Sequence, residues 1–425
     1  MAAARGLRRG RRSLRLTRRG WVFGVLAFLT GALAYAEGNR FFLLVAGLLL
    51  GLVVVAALLA RFRSMRLRVA RTFLPSPVPA TTPTTVTLEA SNLASIRSAL
   101  LYWNDSLPWL PLATDPARLE PLGSASARAS SRTTRVTYEL TPPRRGLYEV
   151  GPLQVAYSDP FGLALGFMTL GGRDPLIVTP YVSELSQSGV WLEAPDGAAR
   201  LVQASGTGNA DDLMTREYRR GDPLRRVHWR ATARQGELMV RQEEQRTYPE
   251  ATVVIDTRLT GYGDAHVETR GIVVSEAFEW AVSMLASLGI HLHRSGFVVH
   301  VAETSDRQIT ALADDAARMA RESEFLLGLA GVELTQERGE PAFVQPAEGP
   351  VFAILAEPDP QALAWVQRMK RPNELGAVFV IGASRTVVTE LAAAGWVVVP
   401  VEPETNPAFA WAVLVDELGV RRGRS

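Results

Sequence analysis

Two apolar runs near the start of the chain constrain its architecture more than anything after them. Residues 21–36 carry no charge, residues 37–40 (Glu37, Gly38, Asn39, Arg40) interrupt, and residues 41–60 are again uncharged and almost wholly apolar. At 1.5 Å per residue the second run reaches roughly 30 Å, the thickness of a hydrocarbon core. The first reaches roughly 24 Å and crosses only with the help of its flanks. A four-residue connection joins antiparallel neighbours, and its backbone needs water at the far interface. The pattern predicts a transmembrane helical hairpin, 21–36 and 41–60, behind a basic tail, 1–20. A cleaved secretory signal is the competing reading. Against it, the second run acts as a stop and no small-residue cleavage pattern separates the two.

Arginines orient the hairpin. Eight precede Trp21 and five lie between Arg61 and Arg71, whereas the connecting turn holds Arg40 beside Glu37. Both termini and everything after the hairpin are therefore expected on the cytoplasmic side of the inner (plasma) membrane, with basic flanks able to meet anionic head groups. The formal charge of +3 is thus an average of two unlike parts. Residues 1–71 hold 14 arginines and one acid, a net of +13, and the remaining 32 basic and 42 acidic residues leave a net of −10.

Several chemistries are absent. With no cysteine there is no disulfide, thiolate nucleophile or zinc–cysteine site. Lys370 is the only lysine and lies outside any Gly-Lys-Ser/Thr loop, so the chain is not itself a P-loop NTPase. No Gly-x-Ser-x-Gly elbow or His-Glu-x-x-His occurs, and His291 and His293 have no identifiable third ligand. The chain is read as a non-enzyme.

From 61 to 180, a proline-marked linker gives way to short alternating runs at 85–89, 99–103, 134–140 and 151–157, separated by turn residues. Such runs predict a small antiparallel β-sandwich. Residues 123–132, rich in serine and alanine, read as a surface loop.

The connecting segment 181–249 holds a basic island. Nine arginines fall within 216–246 against five acids. Gly221, Asp222 and Pro223 are turn chemistry, with Asp222 able to cap a helix running from Pro223 to about Arg234. Three readings stay open. The arginines can form a nucleic-acid groove with Tyr218, Trp229 and Tyr248 for stacking. They can grip a phosphate or carboxylate through paired guanidinium forks. Or they can pair with Glu217, Asp222, Glu237, Glu243 and Glu244 to fix the segment structurally.

Here the residues resemble a family. Arg216, Glu217, Tyr218, Arg219, Arg220, Gly221 and Asp222, followed by Arg226, Val227, His228 and Trp229, then Ala233, Arg234 and 238–240, look like the signature of bacterial domain of unknown function 58 proteins. Residues 144–152 and 158–163 are similar to that family's upstream sandwich. The resemblance, over about 21–300, implies a membrane-anchored protein often encoded beside a MoxR-like AAA+ ATPase, and it brings no catalytic reaction.

Strand-like and helix-like segments alternate from 250 to 420: continuous apolar runs at 251–255, 297–301, 351–355, 377–381 and 396–400, each followed by a helical pattern. This predicts a doubly wound α/β domain with a parallel sheet covered on both faces and its ligand edge at the strands' carboxyl ends, beginning at Asp256. The family's last domain is similar to a von Willebrand factor A fold, whose metal site follows the first strand as Asp-x-Ser-x-Ser. Here only Asp256 and Thr260 match that spacing. Arg258 replaces a hydroxyl ligand, and its guanidinium would repel a divalent cation and pair with Asp256. Asp359 is another acid expected at this edge. No cofactor is expected beyond that degenerate divalent-metal site.

The expectation is a membrane-tethered cytoplasmic scaffold or adaptor with a MoxR-like AAA+ ATPase as partner. The alternative is an anion or nucleic-acid binder acting through Arg219, Arg226 and Arg234.

Overall fold

The computed structural model describes residues 13–62, 65–110, 116–186, 215–218, 227, 229–241, 249–268, 271–309, 318–336, 347–372, 374–382 and 384–422. The chain divides into two compact units, 1–180 and 181–425.

The first unit opens with a correction to the expected tail: β1 (Ser13–Leu16) is a strand, and α1 (Arg18–Glu37) begins three residues before the apolar run. Thr17 is the reason for the early start, since its Oγ1 caps the helix by accepting from Gly20 N at 3.0 Å. Gly38, at φ 64°, ends α1 in the left-handed conformation, and α2 (Arg40–Phe62) returns. Both helices are long and apolar enough to cross a bilayer. Their buried residues are Gly20, Ala27 and Ala34 on α1 and Ala46, Val53, Ala56 and Ala60 on α2, mostly small and repeating at intervals of seven, while Phe28, Leu44 and Leu48 point outward. Small residues at the seam with large ones outside is how helices pack where lipid is the solvent.

The sandwich follows as β2 (Leu67–Leu74), β3 (Val78–Pro79), β4 (Thr84–Asn92), β5 (Leu101–Asp105), β6 (Ala117–Leu119), the short α3 (Ala129–Arg132) inside the expected surface loop, then β7 (Thr133–Leu140), β8 (Gly146–Val150), β9 (Leu153–Ser158), β10 (Ala164–Leu170) and β11 (Asp174–Thr179). They form sheets ordered β1-β10-β9-β5-β6, β2-β4-β7 and β3-β11-β8. Alternation along each strand sends Leu88, Ala90, Leu101, Trp103, Leu153, Val155 and Tyr157 into one core between the first two sheets. Val78, Val86, Val150, Leu176 and Val178 form another beside the third.

Some inward positions are polar, among them Arg71, Thr84, Asn92 and Asp105. Arg71 of β2 has a fully buried side chain, donates to both oxygens of Asp105 at 2.7 Å each, and reaches Asp174 at 2.8 Å. The Tyr138 hydroxyl donates to the same Asp105 at 2.6 Å. Burial and the Asp105 charge hold that phenol well above its usual pKa.

The sandwich is built onto the base of the hairpin. β1 pairs antiparallel with β10, Ser13 opposite Phe167 and Leu16 opposite Ala164. The Tyr157 hydroxyl donates to the Ala60 carbonyl of α2 at 2.7 Å. Leu163 packs with Val53 and Ala56, and a Cβ on Gly20 would collide with the Leu163 carbonyl, so glycine permits this approach.

The second unit contains β12 (Thr215–Glu217), α4 (Trp229–Gln235) and β13 (Met239–Arg241), then β14 (Glu250–Ile255), the ribbon β15 (His266–Val267) and β16 (Val273–Val274), α5 (Glu276–Arg294), β17 (Val298–Glu303), α6 (Arg318–Ala330), β18 (Val351–Leu355), α7 (Pro360–Met369), β19 (Gly376–Ile381), α8 (Arg385–Ala393), β20 (Val397–Val401) and α9 (Pro407–Arg422). The main sheet runs β17-β14-β18-β19-β20 with every pair parallel. On β14, Val253 and Ile255 join the core under α5, α6 and α9, whereas Val254 joins the core under α7 and α8. Strand order reverses between β14 and β18, the place where open α/β sheets leave a crevice. Residues 181–186, expected as connection, pack on this unit: Leu185 is buried, and Trp411 Nε1 donates to the Ser186 carbonyl at 3.0 Å.

Candidate functional site

Sequence points to two places in the second unit, the arginine-rich island and the carboxyl edge of the sheet. In the island, β12 and β13 pair antiparallel, Arg216 opposite Val240, and Tyr218 N extends the ribbon by donating to the Leu238 carbonyl at 2.8 Å. α4 lies between them in sequence. Thr232 ties the helix to the ribbon by accepting from Met239 N at 3.0 Å, and Gly236 turns the chain out of the helix at φ 78°. Val227 and Met239 are buried. Trp229, 69% exposed, and Arg234 face outward. Arg219, Gly221, Asp222, Arg226 and His228 lie outside the described residues, as does the part of the expected helix from Pro223 to Arg226.

At the sheet edge, the residues that directly follow β14 and β18 are described. Asp256 leaves the end of β14 completely buried. Its Oδ1 accepts from the Thr304 hydroxyl beyond β17, from Arg258 N at 3.1 Å and from Arg258 Nε at 3.4 Å. Its Oδ2 is buried with no hydrogen-bond donor among the described residues and backs onto Gly261, where a Cβ would strike it. The Tyr262 hydroxyl donates to the Asp256 carbonyl at 2.6 Å.

Arg258 is the centre of this arrangement. Its side chain is 2% exposed, and its Nη2 donates to Asp359 Oδ1 at 3.2 Å. Asp359 lies just beyond β18 and caps α7 by accepting from Ala362 N at 2.7 Å, with Pro360 at the first helical position. One guanidinium therefore joins the carboxylates that follow the two strands at the topological reversal. Burial opposes its charge, and the attraction of Asp256 followed by that of Asp359 more than offsets this, holding Arg258 more firmly protonated than usual. Burial likewise pushes the Asp359 carboxyl up, but the Ala362 amide and Arg258 outweigh it and leave its pKa lowered.

The residues present do not fit a divalent cation of the kind the resemblance implies. A fixed positive charge already lies against Asp256, and Thr260 is exposed on the 3₁₀ turn Leu259–Gly261. No group of three or more His, Asp or Glu side chains able to share a metal ion occurs among the described residues. The pairing of Arg258 with Asp256 was legible from their two-residue spacing. The closure onto Asp359, 101 residues away, required the fold.

Residues 214–307 match the family model described as Protein of unknown function DUF58. No curated protein matches the chain. Among solved structures, the CARDB domain of a Pyrococcus furiosus protein in complex with di-metal ions is 14% identical and covers 28% of this chain and 90% of its own, at a TM-score of 0.20. A cycloisomaltooligosaccharide glucanotransferase from Paenibacillus sp. is 11% identical, covering 79% of this chain and 53% of its own, at 0.19. A family two carbohydrate esterase from Clostridium thermocellum is 10% identical, covering 84% and 98%, at 0.16. At such scores these overlaps carry no argument about fold or activity.

Proposed function

We propose that the chain is a membrane-tethered cytoplasmic scaffold whose second unit is a von Willebrand factor A-like docking domain, with a MoxR-like AAA+ ATPase as its partner. The observation that carries the tether is the junction of hairpin and sandwich. β1 before α1 and β2 after α2 belong to one sandwich, which supports both ends of the hairpin lying on the same side of the membrane. The arginines at those ends favour the cytoplasmic side. The parallel sheet covered on both faces supports the domain assignment, and an edge held by Arg258 supports docking without a bound metal. Cross-linking in intact membranes, followed by purification of the chain, tests the reading. Co-purification of an AAA+ ATPase is the expected result; its consistent absence overturns the partnership.

A second reading has support in the exposure of Trp229 and Arg234 on α4. An anion or nucleic-acid binder using Arg219, Arg226 and Arg234 binds single-stranded oligonucleotide or polyphosphate with an affinity that falls steeply with salt. No binding even at low salt removes it.

A further inference from the structure

We propose that the loop 159–163 is a membrane foot, a preformed wedge whose tip, Pro160 and Phe161, sits at the boundary between lipid head groups and acyl chains beside the hairpin. This rests on the reading that the hairpin spans a bilayer.

Depth is the first argument. Leu163 packs against Val53 and Ala56 of α2, with Leu16, Phe23 and Leu52 around it. Ala56 and Val53 stand six and nine residues before the end of α2 at Phe62, hence roughly 9–14 Å along the helix from that end. The 23 residues of α2 extend roughly 35 Å and the 20 of α1 roughly 30 Å, against a hydrocarbon core of about 30 Å. Neither helix has 9 Å to spare outside the bilayer by that count. If the helices cross, the level of Leu163 falls inside the boundary and carries the loop with it.

Backbone chemistry is the second. A loop entering an interface poor in water must satisfy its own polar groups. The Asp159 carboxylate, in a buried residue, accepts from Phe161 N at 2.7 Å, Leu163 N at 2.8 Å and Ala164 N at 2.5 Å. Gly162 N donates to the Asp159 carbonyl at 3.2 Å, and Asp159 N to that of Ala164 at 3.1 Å. Pro160 has no N–H to satisfy. Thr17 serves the carbonyl side, its hydroxyl donating to Gly162 at 2.8 Å and its N–H to Leu163 at 2.9 Å. Every N–H from 159 to 164 is thus used inside the protein.

What the loop leaves outward is apolar: Pro160 is exposed and Phe161 is 49% exposed. The neighbouring start of α1 presents Arg18 and Arg19, both exposed, directly after Thr17, and then Trp21 at 64% exposure. An aromatic or apolar tip next to arginines at one level is the composition of an interfacial contact, basic groups to phosphates and rings to acyl chains.

A chain without cysteine makes the test direct. Three single variants of the full chain, Phe161→Cys, Leu48→Cys and Thr141→Cys, are labelled with an environment-sensitive fluorophore and reconstituted in phosphatidylcholine–phosphatidylglycerol vesicles. Leu48 is 70% exposed on α2 and reports the span. Thr141 is exposed beyond the end of β7, where Leu140 pairs with Thr84, roughly 23 Å along β2 from Leu67, and reports water. The proposal expects blue-shifted emission and quenching by a lipid-borne nitroxide at 48 and 161, and neither at 141. Emission at 161 like that at 141, with 48 still in lipid, overturns the foot and leaves the span standing; blue-shifted emission at 161 without nitroxide quenching, the result if a soluble protein or a second copy covers Phe161, overturns the foot as well. Water-like emission at both 48 and 161 overturns span and foot together.

Discussion

Arg258 and Asp359 are 101 residues apart in the chain and meet at 3.2 Å across the strand reversal of the parallel sheet. With Asp256 on its other side, the guanidinium compensates two carboxylates at once. Removing it by Arg258→Ala leaves them facing one another and is expected to cost about 3 kcal/mol, as for other broken buried pairs. The loss is read as a lower denaturation midpoint of the 181–425 unit.

The same geometry predicts how the chain responds to metal. Magnesium, calcium or a chelator should leave the native unfolding midpoint unchanged, because a cation already sits at the edge. In Arg258→Ala the two carboxylates and the Thr304 hydroxyl become available, and millimolar divalent cation should restore part of the lost midpoint. A chelator-sensitive midpoint in the native chain contradicts this account.

The Arg71 network predicts a graded series in the sandwich. Arg71→Ala strands two carboxylates, one of them in the buried Asp105, and should cost about 3–5 kcal/mol. Tyr138→Phe removes one hydrogen bond to a charged acceptor and should cost about 1.5–3 kcal/mol. In Asp105→Ala the further loss from Tyr138→Phe should shrink, which a double-mutant cycle measures.

Acid stability of the second unit should depend on two carboxyls of opposite sign. Asp359 is lowered in the fold, so its contribution is present above its unfolded value, about 3.9, and is lost as pH falls through the folded value. Glu303, pushed up by burial despite accepting from the amides of Gln308 and Ile309, costs stability as pH rises from about 4.3 through its folded value. On acidification from neutrality the relief at Glu303 comes first and the loss at Asp359 second. Urea midpoints should therefore pass through a mildly acidic maximum. Glu303→Gln should abolish the rise and Asp359→Asn the subsequent fall.

Gly20→Leu should separate hairpin and sandwich. Its side chain has no room against the Leu163 backbone, so the loop must move away from α1. Faster protease cleavage near 159–163 is the expected readout, with Gly24→Leu, at a position facing open space, as the control.

Physical range explains which elements the sequence disclosed. The hairpin and the five parallel strands were legible because each is a continuous apolar run whose identity depends on its own residues. β1 was not: Ser13 to Leu16 reads as part of a basic tail, and only its partner β10, some 150 residues later, makes it a strand. Arg71 was hidden likewise, counted among flanking charges that orient the helices although its side chain is the polar centre of the sandwich. At the sheet edge the local Asp256–Arg258 pair could be foreseen, and Asp359 could be put at the same edge but not into the pair. In the island, Trp229 and Arg234 are exposed as a binding reading requires, while Arg219, Gly221, Asp222, Arg226 and His228 lie outside the described residues.

The pairing of β1 with β10 also sets an order of events during synthesis. Ser13–Leu16 leaves the ribosome before both apolar helices, yet its partner Ala164–Leu170 is made only after them and most of the sandwich. The strand must stay unpaired until then. Without that strand, β10 is an open sheet edge that includes Phe167, a ready site for pairing with another chain. Ser13–Leu16 thus covers the β10 edge of the sandwich, and truncations reaching Leu16 should show up as aggregation of the domain that follows.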